Sequence, residues 1–219
     1  MLNKMNDKQI HTGIRIVMAS IAIILIWFVI QFSYNTYLRT DKQSENAIQN
    51  AITDVEKNPT NIKKRVALAD LLVEKGKRGE AIKQYKEALK ISKKYEPALV
   101  GLGVAYLEDG QKEEALSTFS EEIEFATKGS TAQIDKYLEK AYYYKGKILL
   151  DKGDYKEAVL NLKKALEIFP NMSDTHYLLG KANSQLNKEK EATEHFKEAL
   201  RFNPNFSEAK KELEELGKN

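Results

Sequence analysis

Four nine-residue segments of this chain align without a gap: AIKQYKEAL from Ala81, ALSTFSEEI from Ala115, AVLNLKKAL from Ala158 and ATEHFKEAL from Ala192. They are separated by 34, 43 and 34 residues. A second set upstream keeps the same spacings: ALADLL from Ala67, GLGVAY from Gly101, YKGKIL from Tyr144 and LLGKAN from Leu178. Between the two segments of each unit falls a residue that tolerates positive φ, namely Gly76, Gly110, Gly153 and Asn187. Both segments carry apolar residues at three- and four-residue intervals, so each unit reads as helix, turn, helix. A fixed period of this kind predicts an all-α stack in which each helical pair packs only on its neighbours.

These motifs resemble the tetratricopeptide-repeat family, whose unit is a 34-residue helix-turn-helix. The resemblance covers residues 62–206 as four units, 62–95, 96–129, 139–172 and 173–206, with an insertion at 130–138. It implies close helix contacts at Ala69, Gly103, Gly146 and Gly180, and at Ala81, Ala115, Ala158 and Ala192. Tyr85, Phe119, Leu162 and Phe196 then fill the space between units. Three positions depart from the pattern: Lys145 for a leucine, Glu122 for a small residue and His176 for a bulky apolar group. The insertion keeps helical spacing through Ile134, Tyr137, Leu138 and Ala141, which predicts an N-terminal extension of the next helix, about 20 residues in all and starting just after Ser130. Residues 39–61 read as a linker and leading helix, a half repeat, and 207–219 as a capping helix with a polar outer face.

Ahead of the array, residues 1–15 form a short basic tail and 16–38 contain no charged side chain. Twenty-three helical residues span roughly 34 Å, enough for a bilayer core, so 16–38 is expected to be a transmembrane helix. A cleavable signal peptide would need small residues at the cleavage site, and the run ends instead in QFSYNTY from Gln31. Lys4, Lys8 and Arg15 precede the span, whereas Arg39 and Lys42 follow it, which places the N-terminus in the cytoplasm and the repeats outside. The expected location is a bacterial inner or cell membrane.

The net charge of +3 resides in residues 1–40, and the remaining 179 residues carry 31 basic and 31 acidic side chains. A neutral soluble part gives nucleic acid no electrostatic footprint. With no cysteine and three scattered histidines, His11, His176 and His195, no metal site, cofactor or catalytic constellation is expected. The Gly101–Gly103 pair lacks a third glycine and a preceding strand, so helix packing explains it better than nucleotide binding. The chain is read as a non-enzyme.

In the family the first helices of successive units line a concave groove that holds peptides or partner helices. The resemblance assigns Val66, Asp70, Val73, Val100, Val104, Leu107, Tyr143, Lys147, Leu150, Tyr177 and Lys181 to that groove. Its first half is aliphatic, while its second half pairs tyrosines with lysines, a lining suited to an amphipathic segment with an acidic end. Val66 and Asp70 stand where a chaperone-tail carboxylate clamp would place Lys and Asn, which disfavours that ligand. The leading expectation is a membrane-tethered scaffold or assembly factor for partner proteins. Alternatives are a holdase for exported chains or a non-catalytic subunit of a membrane enzyme, and self-association is compatible with each.

Overall fold

A computed structural model describes residues 7–128 and 136–217, and within the first helix the side chains of Met18, 25–34 and 42–57. The described residues form ten α-helices and no strand. They divide into two compact units, residues 1–51 and 52–219.

The first unit is occupied by helix α1, Asp7–Lys57, which runs unbroken for 51 residues and enters the second unit in its last turns. There is thus no helix end at residue 38, and the linker expected from residue 39 is continuous helix. Among the described residues no helix is long and apolar enough to cross a membrane. Much of the 16–38 segment falls on side chains outside the described set. The large apolar side chains described within it, Met18, Leu25 to Ile30, Phe32 and Tyr34, are 56–74% exposed.

The second unit holds four antiparallel helical pairs: α2 (Ile62–Glu74) with α3 (Arg78–Ile91), α4 (Glu96–Glu108) with α5 (Lys112–Lys128), α6 (Lys136–Lys152) with α7 (Tyr155–Ile168), and α8 (Ser173–Gln185) with α9 (Glu189–Phe202). Helix α10, Ser207–Leu216, packs on α9. Each pair contacts the next, as a linear stack requires. Asn61 caps α2 by accepting from the Lys64 amide at 3.1 Å.

The turn inside each pair follows one design. Gly76, Gly110, Gly153 and Asn187 have φ of 69°, 81°, 86° and 57°. This left-handed residue lets the chain reverse, and the next amide returns to a carbonyl five residues back: Lys77 to Leu72 at 2.8 Å, Gln111 to Tyr106, Asp154 to Leu149 and Lys188 to Asn183, each at 2.9 Å. The last carbonyls of the first helix are thereby satisfied without water.

The pairs close on glycines. A Cβ built on Gly103 would lie 2.6 Å from the Phe119 ring, one on Gly146 2.7 Å from Leu162, and one on Gly180 2.5 Å from Phe196. Phe119, Leu162 and Phe196 are fully buried, so each ring or branched chain rests on the backbone of its partner helix. Exposed ion pairs repeat in register between units, Arg78–Glu108 at 3.5 Å and Lys112–Asp151 at 3.8 Å. At such exposure each adds little, about 0–1 kcal/mol.

Both helices that flank the insertion outrun their counterparts in the neighbouring unit, and α6 does so at its N-terminus as expected. In the shared register Ile91, the end of α3, corresponds to Phe125, yet α5 continues to Lys128. Glu96, the start of α4, corresponds to Glu139, yet α6 starts at Lys136 and is 17 residues long. The extra residues therefore lengthen both flanking helices. The start expected just after Ser130 lies in residues 129–135, outside the described residues.

Candidate functional site: the concave groove

The first helices of three successive units, α2, α4 and α6, enclose a cavity of about 420 Å³, inside the range of roughly 300–1,000 Å³ typical of ligand pockets. Val66, Val73, Val100 and Val104 give it an aliphatic floor. Asp70 and Glu74 stand on the α2 side, and Lys136, Tyr137, Lys140 and Tyr144 form the α6 side.

Tyr85 anchors the floor from α3. Its ring passes between α2 and α4, where a Cβ on Gly101 would come within 2.5 Å of it, and its hydroxyl donates to the Asp70 carboxylate. Burial, then this hydrogen bond and the charge of Asp70, push the phenol pKa well up. Tyr85 therefore remains a donor and fixes the Asp70 carboxylate at the groove wall.

Of the eleven groove residues assigned from the sequence, Val66, Asp70, Val73, Val100 and Val104 line this cavity together. Leu107, Tyr143, Lys147, Leu150, Tyr177 and Lys181 do not line it. Tyr143 is half-buried with its ring edge on Tyr144, and burial followed by the Asp174 charge raises its pKa to about 12. Tyr177 packs on Phe206 and Phe196, with centroids 4.9 and 5.9 Å away, and the Lys181 ammonium lies 5.7 Å over its ring. The Tyr177 ring thus belongs to the junction with the terminal helix, among Phe206, Leu213 and Leu216.

Sequence reasoning missed Tyr85, Lys136, Tyr137, Lys140 and Tyr144 as pocket residues. Tyr144 and Lys140 occupy the α6 positions that Gly101 and Pro97 hold in α4, whereas Lys136 and Tyr137 precede any α4 equivalent. The available signal was the insertion itself, which adds wall residues that no other unit possesses.

His176 and His195 pair between α8 and α9, and the side chain of His11 lies outside the described residues. His176 Nε2 lies 3.0 Å from the Pro170 carbonyl and must donate, so its Nδ1 accepts from His195 Nδ1 at 3.2 Å. His176 also stacks on Phe202. Burial first, then His176 and Lys163, lower the His195 pKa to about 4, against smaller upward effects from Glu198 and Glu191. A depressed histidine favours the neutral folded form, so its stabilisation is complete above about pH 6.5 and is lost as pH falls towards 4. The melting temperature of His195→Leu is therefore expected to fall less between pH 7 and 4.5 than that of the parent, by about 3–6 °C. Parallel curves would remove the pair from the account. Among the described residues no group of three or more His, Cys, Asp or Glu side chains could hold a metal ion.

A linear stack of helical pairs with a lined cavity between its first helices defines a repeat protein of the α-solenoid class. Family models for TPR repeats match residues 69–110 and 146–187, and a tetratricopeptide-repeat model matches 173–206. The chain carries tetratricopeptide repeats over those residues and has their fold. Among solved structures it is similar to MamA, at 22% identity over 76% of this chain and 92% of that one, with a TM-score of 0.65. MamA from Desulfovibrio magneticus RS-1 matches at 19% identity, 75% and 88% coverage and a TM-score of 0.63. The pilF protein of Pseudomonas aeruginosa matches at 20% identity, 71% and 67% coverage and a TM-score of 0.61. No curated protein matched the chain significantly.

Proposed function

We propose that this chain is a membrane-tethered scaffold or assembly factor that binds partner proteins, without chemistry of its own, through the groove of its repeats. The observation that carries the reading is the cavity between α2, α4 and α6, where an aliphatic floor is flanked by charged side chains on both walls. Such a lining offers apolar contact with polar selection at the edges, as protein-recognition surfaces do. The tetratricopeptide repeats support it, since arrays of this kind bind proteins along extended concave faces.

Val104 is half-buried on the floor, so Val104→Arg fills the groove from a side chain that can reach solvent. The full chain, extracted in mild detergent and captured, is expected to retain a partner protein in fixed ratio that Val104→Arg loses while melting normally. Identical protein profiles from the parent and the variant would count against the groove.

The tether is proposed from the uncharged stretch 16–38 and the exposed apolar side chains from Leu25 to Ile30 in α1. Lys4, Lys8 and Arg15 then hold the N-terminus in the cytoplasm and leave the array outside a bacterial cell membrane. Alkaline carbonate should leave the parent chain in the membrane fraction and release a variant lacking 16–38, and a reporter fused after Asn219 should be active only outside the cytoplasm. Release of the parent, or a reporter active in the cytoplasm, would reverse the respective assignment.

A further inference from the structure

The two walls of the pocket carry opposite charge. Asp70 and Glu74 face it from α2, Lys136 and Lys140 from α6, and the valines lie between. Elsewhere in the array acids and bases pair across neighbouring units, as Lys152 does with Glu113 at 2.6 Å and Arg78 with Glu108. Among the described residues Glu74 and Lys140 enter no ion pair, although both are exposed. Placing an acidic wall and a basic wall across an apolar floor produces a field with a direction, and a ligand with the opposite order of charges satisfies both ends.

Resting on the groove reading above, we propose that the pocket takes an extended segment of a partner protein that carries a cationic side chain against Asp70 and Glu74, an acidic side chain against Lys136 and Lys140, and aliphatic side chains between them. The spacing follows from helix packing. Two steps between neighbouring helices, α2 to α4 to α6, cover roughly 20 Å at about 10 Å each. An extended chain advances about 3.3 Å per residue, so the two charges stand about six positions apart. Even spacing also puts the charged and aliphatic side chains on one face of the strand, because alternate residues point the same way.

The probes are capped heptapeptides, Lys-Ser-Val-Ser-Val-Ser-Glu and its reverse, beside versions with Lys at both ends or Glu at both ends. Binding to the full chain in detergent is read by fluorescence anisotropy. At least one mixed-charge peptide is expected to bind about fivefold more tightly than either single-sign peptide, with the preference shrinking in high salt. Glu74→Lys should move the preference towards the Glu/Glu peptide, and Lys140→Glu towards the Lys/Lys peptide, with melting curves confirming that both variants fold. Equal binding by all four peptides, abolished by Val104→Arg, would overturn the charge order while leaving the groove as a protein-binding site. Absence of binding by any peptide would overturn the proposal, as would a self-associated chain whose sedimentation neither mixed peptide alters, which assigns the pocket to a second copy.

Discussion

Phe119→Ala is expected to cost about 3–5 kcal/mol of stability, the range for truncating a fully buried phenylalanine. Phe119 is 0% exposed, rests on the backbone of Gly103 and stacks on Tyr144 with centroids 5.4 Å apart and planes 10° from parallel. One ring therefore closes the α4–α5 pair and supports a pocket wall on α6. In a stack where each unit depends on its neighbours, the loss should broaden unfolding as well as lower its midpoint. Urea titration followed by circular dichroism checks the magnitude, and Phe119→Leu should recover most of it because volume and apolarity are nearly kept. A cost below about 1 kcal/mol would mean that the ring is not the inter-helix filler.

Gly180→Leu is expected to lose about 3 kcal/mol through the opposite fault, an atom too many. The first added carbon would stand 2.5–2.9 Å from three atoms of the buried Phe196 ring, and that ring is hemmed in by Tyr177. Either α8 and α9 part or the ring leaves its rotamer, and overpacking of this kind costs about 1–3 kcal/mol before lost contacts are added. The truncation Phe196→Ala should make room, so the double variant is expected to be less destabilised than the two single losses summed. Additive losses in thermal melts would show that the two residues do not meet.

The repeat geometry was open to sequence reading because it is set by local chemistry that recurs. Gly76, Gly110, Gly153 and Asn187 mark turns that need positive φ, and they do so whatever surrounds them. Gly103, Gly146 and Gly180 are recognisable for a related reason, since each stands sixteen residues before the bulky side chain that it admits.

The site was only half legible. Val66, Val100, Asp70 and Val104 follow the register and do line the pocket. Tyr177 occupies the register position of Val66, but its ring is taken up by Phe206 at the end of the array, a tertiary contact that periodicity cannot express. Lys136 and Tyr137 were hidden for another reason, because an insertion has no register to project. The extra turn of α6 that disturbs the repeat is also the part that makes this groove unlike its neighbours.

The proposed function requires partner proteins to dock at the α2–α4–α6 pocket. Photocrosslinking tests it most directly, with a benzophenone amino acid placed in turn at Val104 on the pocket floor and at Leu160, which is 54% exposed on α7 and lines no part of the pocket. Val104 is expected to yield an adduct with the same protein that co-purifies with the chain, the mixed-charge heptapeptide to suppress it, and Leu160 to yield none. Adducts with that protein from Leu160 and none from Val104 would contradict the account and move binding to the second helices.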